Sequence, residues 1–175
     1  WNPFTNEPCQ NISEWFYIMR KVVNIDPSRV DKIRHVMGKH DRTIVFYNFD
    51  YELELLREAF AGSKDVEFAE WNGHKHDPLP TSEKWIYAVQ YTAGAEGWNC
   101  TTSDCVIFYS LSYSYRSREQ AKGRIDRRNT PYTDLWYYTL KSTSVIDIAI
   151  WRAILAKKKF NERTSKIARG TVFPP

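Results

Sequence analysis

DCVIFYS, residues 104–110, is an almost uninterrupted run of apolar and aromatic side chains. A strand with one face in water alternates apolar and polar residues, whereas a strand covered on both faces is apolar throughout. Four similar β-branched or aromatic runs occur along the chain: TIVFYN at 43–48, VEFAEW at 66–71, WIYAVQY at 85–91 and LWYYTL at 135–140. These five runs predict the strands of a mostly parallel sheet that is buried between two layers of helices.

The intervals between the runs leave room for the helices that parallel strands need as crossovers. Periodicity and end signals place these helices at residues 12–23, 28–40, 50–60, 114–127 and 144–160. We therefore expect one three-layer α/β domain over residues 28–160. Residues 1–27 are interpreted as a helical lead-in or linker to a further domain, and residues 161–175 as a tail.

The composition indicates a folded protein with a small basic excess. A hydrophobic fraction of 42% and an aromatic fraction of 15% exclude a disordered chain. The net charge of +4 permits a polyanionic partner without requiring one. The three cysteines lack C-x-x-C spacing, which favours free thiols in a reducing compartment, and no apolar run reaches the roughly 20 residues that span a membrane. We expect a cytoplasmic protein that does not enter a membrane.

Gly94 and Gly97 follow the third predicted strand, within TAGAEGWNCTTSDCVIFYS at 92–110. Ligands of open parallel sheets gather at the carboxyl ends of strands, where glycine lets backbone amides approach a phosphate or sugar. Glycines at this spacing also shape ordinary turns, so the pattern alone leaves both interpretations open.

QAKGRIDRR, residues 120–128, contains a second pattern, Q-x-x-G-R-x-x-R, formed by Gln120, Gly123, Arg124 and Arg127. On a continuous helix these four positions share a face, and the glycine leaves space for a target to approach. Arginine suits a phosphoryl target because its guanidinium is a planar fork of donors. Arg128, rotated by about 100° from Arg127, is predicted to face elsewhere. The alternative is a solvated surface whose arginines pair with nearby acids.

Together the two segments resemble motifs V and VI of the C-terminal motor domain of superfamily-two helicases and Swi/Snf-type translocases. AGAEGWNCTTSDCVIFYS, residues 93–110, is similar to motif V, A-G-x-E-G-L-N-L-T-x-A-D-x-V-I-x. QAKGRIDRR is similar to motif VI, and RTIVFYNFDYELELLREAF, residues 42–60, resembles motif IV. The likeness covers about residues 28–160, and the phrases IVFYNF and AEGWNC are most similar to a phage or prophage DEAD-box-type helicase.

This resemblance implies a RecA-like domain that forms one wall of a site for ATP with Mg²⁺, bound mainly by an N-terminal RecA-like domain of the same longer chain. It implies catalytic roles at the γ-phosphate for Arg124 and Arg127, which Gln120 would position. Nucleotide contacts would come from Glu96, Gly97, Asn99 and Gly123. Thr92 and Gly94 would contact the backbone of DNA or RNA. A phage or prophage origin implies the cytoplasm of a bacterial host.

The sequence lacks the two motifs that bind the phosphates and the Mg²⁺ ion in ATPases of this kind. No G-x-x-x-x-G-K-[ST] phosphate loop and no D-E-x-[HD] motif for Mg²⁺ are present. We therefore expect the C-terminal half of an ATP-dependent helicase or translocase, which does not hydrolyse ATP alone. The alternative is a non-catalytic RecA-like module that binds nucleic acid or protein, but lysines would be sufficient for simple backbone binding.

Two weaker hypotheses concern other side chains. His74, His76 and Asp77 lie in GHKHDP, where H-x-H spacing allows two imidazoles to bind a metal, although solvated histidines are the commoner outcome. The aromatic residues at positions 108, 109, 113 and 115 could stack on bases, but strand aromatics are expected to be core.

Overall fold

A computed structural model of the chain describes residues 1–93, 99–157 and 160–161. Within these residues, five strands form one parallel sheet: β1 (Arg42–Tyr47), β2 (Glu67–Trp71), β3 (Trp85–Gln90), β4 (Cys105–Phe108) and β5 (Trp136–Thr139). Their spatial order is β2-β3-β1-β4-β5, so β1 lies at the centre. The α/β fold with a parallel central sheet, predicted from the five apolar runs, is confirmed.

In the described part of the chain, five helices accompany the sheet: α1 (Ile12–Asn24), α2 (Ser28–Met37), α3 (Asp50–Phe60), α4 (Tyr115–Lys122) and α5 (Val145–Leu155). Side-chain caps fix three of their starts. The side chains of Asn11, Ser114 and Ser144 accept the backbone N–H groups of Glu14, Ser117 and Asp147, respectively. Each cap satisfies one of the four amide groups that a helix start leaves without an intrahelical partner.

Helices cover both faces of the sheet, which explains why its strands are apolar throughout. Val45 and Tyr47 of β1 pack with α2 and α3 on one face. Ile44 and Phe46 point to the other face, where they pack with Ala121 of α4 and neighbouring side chains. Alternate residues of a strand point to opposite faces, so each β1 side chain from Thr43 to Tyr47 is buried.

A third apolar cluster joins α1 to α5 beyond the carboxyl end of β4. Phe16 of α1 packs there with Ile150 of α5, Leu111 and Phe160. The ring centroids of Phe16 and Phe160 lie 5.8 Å apart. The place of α1 in the fold, which periodicity alone could not define, is therefore against α5.

The sequence prediction of a helix over 114–127 is wrong at its C-terminal end. α4 ends at Lys122, and the backbone then tightens, since Arg124 N–H bonds the carbonyl of Ala121, three residues back, at 3.2 Å. Glycine has low helix propensity, and Gly123 stands where the helix stops. Arg124 and Arg127 therefore do not share a helical face with Gln120. Arg127 and Arg128 also lie beyond the end of α4, so the rotation of about 100° between them that a helix would give does not apply.

Candidate functional site

The carboxyl ends of β1 and β4 form a crevice at the centre of the sheet edge. β1 leads into α3, which packs on one face, whereas β4 leads into α4 on the opposite face. Adjacent parallel strands whose connections leave in opposite directions mark the place where open α/β sheets bind ligands. This edge is therefore the candidate functional site.

A buried polar network forms the floor of the crevice. The Ser110 hydroxyl donates to Glu52 Oε2 at 3.0 Å and accepts a hydrogen bond from Asn48 Nδ2 at 2.7 Å. Glu52 Oε2 also accepts the backbone N–H of Asn48 at 2.8 Å. Burial raises the pKa of Glu52 despite these donors. The network fixes the loop after β1 against the loop after β4.

One backbone hydrogen bond connects the two segments that resemble motifs V and VI. Cys100 N–H donates to the carbonyl oxygen of Arg124 at 3.0 Å. It joins the segment that follows Asn99 to the turn that follows α4. Segments separated by about 20 residues along the chain thus form one local structure.

The two arginines of this turn lie close enough to influence each other. Burial, and secondarily the positive charge of Arg127, lower the pKa of Arg124. Arg127 is exposed and Arg124 is half-buried. Neighbouring like charges, one of them partly withdrawn from water, form a favourable place for an anion because the anion reduces their repulsion.

The backbone conformation at position 123 does not require a glycine. Its φ is −62°, which any residue can adopt. A Cβ atom there would lie 3.5 Å from the carbonyl oxygen of Gln120 and 3.7 Å from that of Glu119, which are ordinary contacts. No contact among the described residues demands a glycine at this position. The space left by its missing side chain is therefore open to an approaching ligand or domain.

The structure brings together some of the predicted site residues. Asn99, Gly123 and Arg124 belong to the linked segments, with exposed Gln120 and Arg127 on the same stretch of chain. Thr92 is exposed just beyond the end of β3. Gly94, Glu96 and Gly97 lie outside the described residues.

Sequence reasoning missed the side chains that surround the crevice. Tyr17 and Arg20 of α1, with Asn48, Phe49 and Tyr113, line a cavity of about 300 Å³ at this edge. The position of Asn48 directly after an apolar strand was the available signal. The two α1 residues carried no signal, since the place of α1 was undefined.

The hypothesis of a metal site in GHKHDP is not supported. Among residues 1–93, 99–157 and 160–161, no cluster of three or more histidine, cysteine or acidic side chains could hold a metal. His76 stacks on Trp71 with ring centroids 4.3 Å apart. Asp77 accepts the backbone N–H of Glu70 and pairs with Lys75 at 2.9 Å.

The aromatic residues after and within β4 are mainly core, as expected. Phe108 and Tyr109 are fully buried, while Tyr113 and Tyr115 are partly buried against the α1–α5 cluster. No helix in the described part of the chain is long and apolar enough to cross a bilayer.

No protein-family profile matches the chain, and no curated protein sequence does. A solved structure of the C-terminal part of the Fun30 ATPase domain is similar, with a TM-score of 0.65 over 84% of this chain. The chain has a RecA-like α/β fold. At 18% identity the likeness shows the fold alone, and this RecA-like chain corresponds to 50% of that solved chain.

Proposed function

We propose that this RecA-like chain is the C-terminal half of an ATP-dependent nucleic-acid helicase or translocase. The observation that carries the proposal is the hydrogen bond from Cys100 to Arg124, because it joins the two motif-like segments on this fold. The similar solved structure is itself part of an ATPase domain. Of the chains that the segments resemble, we propose a phage or prophage DEAD-box-type helicase, acting in a bacterial cytoplasm, with residues 1–27 linking the two motor domains.

In this proposal Arg124 and Arg127 stabilise the charge that develops on the γ-phosphoryl group during transfer. Guanidinium forks suit phosphoryl oxygens, and fixed positive charge in a partly buried place acts more strongly than in water. Gln120 is assigned the role of positioning the two arginines, and Glu96, Gly97, Asn99 and Gly123 are assigned contacts with the nucleotide. Bound ATP with Mg²⁺ supplies the transferable phosphoryl group.

The described residues fit the phosphates of a nucleotide but not its metal ion. The arginine pair provides donors for phosphoryl oxygens, whereas the described residues hold no cluster of metal-binding side chains. The N-terminal RecA-like domain is therefore assigned the phosphate loop and the Mg²⁺ ligands. Thr92, just beyond the end of β3, and Gly94 are assigned contacts with the nucleic-acid backbone.

The proposal is tested in a longer protein that contains the N-terminal domain. Arg124→Ala and Arg127→Ala should each lower kcat by about 10³- to 10⁵-fold, the range for removal of an arginine finger. Nucleotide affinity should change little, since the opposing charge is greatest in the transition state. Arg124→Lys should restore little activity, because lysine lacks the planar fork.

Arg116 provides the matched control, since it is an exposed arginine on α4 that lies outside the Q-x-x-G-R-x-x-R pattern. Arg116→Ala should retain most of the turnover. Unchanged turnover in the Arg124 and Arg127 variants would falsify the arginine-finger role. Equal losses in all three variants would indicate a diffuse basic surface and would contradict specific roles for Arg124 and Arg127.

A further inference from the structure

The cavity at the sheet edge has aromatic walls. It has a volume of about 300 Å³ and is lined chiefly by Tyr17, Arg20, Asn48, Phe49, Ser112 and Tyr113. This volume is at the lower end of the roughly 300–1,000 Å³ that ligand pockets occupy, so the cavity suits a single ring system. It lies in the crevice between the loops after β1 and β4, where the topology of the sheet favours a ligand.

Arg20 is the only charged residue among the described residues that line the cavity, and it is already engaged. It is 4% exposed. Its guanidinium lies 4.6 Å from the ring centroid of Phe49 and 4.8 Å from that of Tyr113. Its Nη2 donates to the carbonyl oxygen of Leu111 at 2.5 Å. Arg20 therefore cannot offer its fork to a phosphate without losing these contacts.

The surroundings of Tyr17 also disfavour a phosphate. Burial, and then the negative charges of Asp50 and Glu52, raise the pKa of Tyr17. The same charges would repel a phosphate placed against the ring. Tyr17 is 41% exposed and is held by perpendicular ring contacts with Phe49 and Tyr51, at centroid distances of 5.4 and 5.8 Å. A flat, uncharged ring meets none of this repulsion.

We propose that this cavity takes one unpaired base of a single-stranded nucleic acid, stacked on Tyr17. The backbone of the strand would remain outside the cavity, on the side of Thr92. This inference rests on the proposed nucleic-acid-binding function and adds to it, because phosphate contacts position a strand without contacting its bases. Base stacking on aromatic side chains does require an unpaired strand.

The test measures binding of the 175-residue chain to two fluorescent oligonucleotides of equal length and charge, one of thymidines and one abasic. Stacking of one base is worth about 1–3 kcal/mol by alanine substitution, so the thymidine strand should bind about 5- to 150-fold more tightly. Tyr17→Leu should remove this preference while keeping apolar bulk, and Tyr17→Phe should preserve it.

Trp136→Ala is the control, because Trp136 is a 49% exposed aromatic residue at the amino end of β5, at the opposite edge of the sheet. It should leave the preference unchanged. Equal binding of the two oligonucleotides would overturn the base site, and so would a preference that survives Tyr17→Leu. In either case the proposed motor function would stand. Failure of the longer protein to bind any nucleic acid would instead contradict the proposed function itself.

Discussion

Arg29 is a single buried side chain that joins four elements of the fold. Its guanidinium donates to the carbonyl oxygens of Val23, Tyr109 and Leu140 and to Asp147, covering α1, the ends of β4 and β5, and α5. A planar fork with five N–H donors can satisfy partners in several directions, which an ammonium group cannot reproduce. Arg29 therefore fixes how α1, α2 and α5 meet the carboxyl edge of the sheet.

Arg29→Met should lower the free energy of unfolding by about 3–5 kcal/mol, because it leaves the Asp147 carboxylate buried without its cation. The Arg29–Asp147 pair is 2.9 Å long, with side chains 6% and 4% exposed. The matched control is Arg34→Met, since the Arg34–Asp31 pair has side chains 53% and 69% exposed. Surface pairs contribute about 0–1 kcal/mol. Urea unfolding measures the free energy of unfolding of both variants. Similar losses of stability in the two would contradict the role assigned to Arg29.

At the scale of elements, the strands, α1 and α3 could be predicted from the sequence more closely than the C-terminal ends of α2, α4 and α5. The run at 85–91 became β3 (Trp85–Gln90), and the helix predicted at 50–60 is α3 (Asp50–Phe60). The sequence signals of these elements are local, since a continuous apolar run or a pair of acidic residues at a helix start can be recognised within a few residues. The end of α4 was predicted too far along the chain, because the helical spacing of the arginines was followed past Gly123, although a glycine commonly marks a helix end.

The candidate site could be predicted from the sequence only where a recognisable motif lies beside a strand or helix. The segments that contain Asn99 and Arg124 were identified from their resemblance, and the structure connects them through Cys100. Tyr17 and Arg20 were missed because α1 precedes the sheet in sequence, and only tertiary packing brings it to the loops after β1 and β4. Contacts between distant parts of the chain leave no periodic signal in one sequence.

The end of α4 supports a test that separates stability from turnover. Gly123→Ala should leave the free energy of unfolding unchanged or raise it by about 0.4–1 kcal/mol, because alanine restricts the unfolded chain and fits the native backbone. In the longer protein it should lower ATP turnover, since the added methyl group would meet the approaching nucleotide or domain. Urea unfolding and steady-state ATPase assays measure the two effects.

Gly62→Ala is the control for this test, because an added Cβ at Gly62, just beyond α3, meets no atom within 4 Å. It should change the free energy of unfolding by a similar amount, about 0.4–1 kcal/mol at most, but leave ATP turnover unchanged. If Gly123→Ala keeps full turnover, the small residue at this position has no part in ATP hydrolysis.

At the scale of the whole molecule, the chain corresponds to half of the similar solved ATPase structure. We predict that the 175-residue chain alone shows no ATP turnover, with or without nucleic acid, because its sequence lacks the phosphate loop and the acidic Mg²⁺ motif. A coupled ATPase assay, with Arg124→Ala as the blank, measures this. Turnover that Arg124→Ala abolishes would show that the chain contains a complete site.

We also predict weak nucleic-acid binding by the chain, with phosphate contacts as its main part and no sequence preference. Each phosphate contact on duplex DNA contributes about −0.9 to the slope of log affinity against log salt, so a few contacts give a slope of roughly −2 to −4. Anisotropy titrations at several salt concentrations measure it. Sequence-selective binding that persists at high salt would favour a dedicated binding module over half of a motor.

The central position of β1 has a consequence for synthesis on the ribosome. β1 is the first strand in the chain, but Thr43 pairs with Ile86 of β3 on one side and with Cys105 of β4 on the other. The second partner emerges roughly 60 residues later, which is about 3–12 s at normal elongation rates. Until then this central strand, buried from Thr43 to Tyr47 in the folded chain, has no complete set of neighbours, so a nascent chain that stalls before β4 exposes it to chaperones and to aggregation.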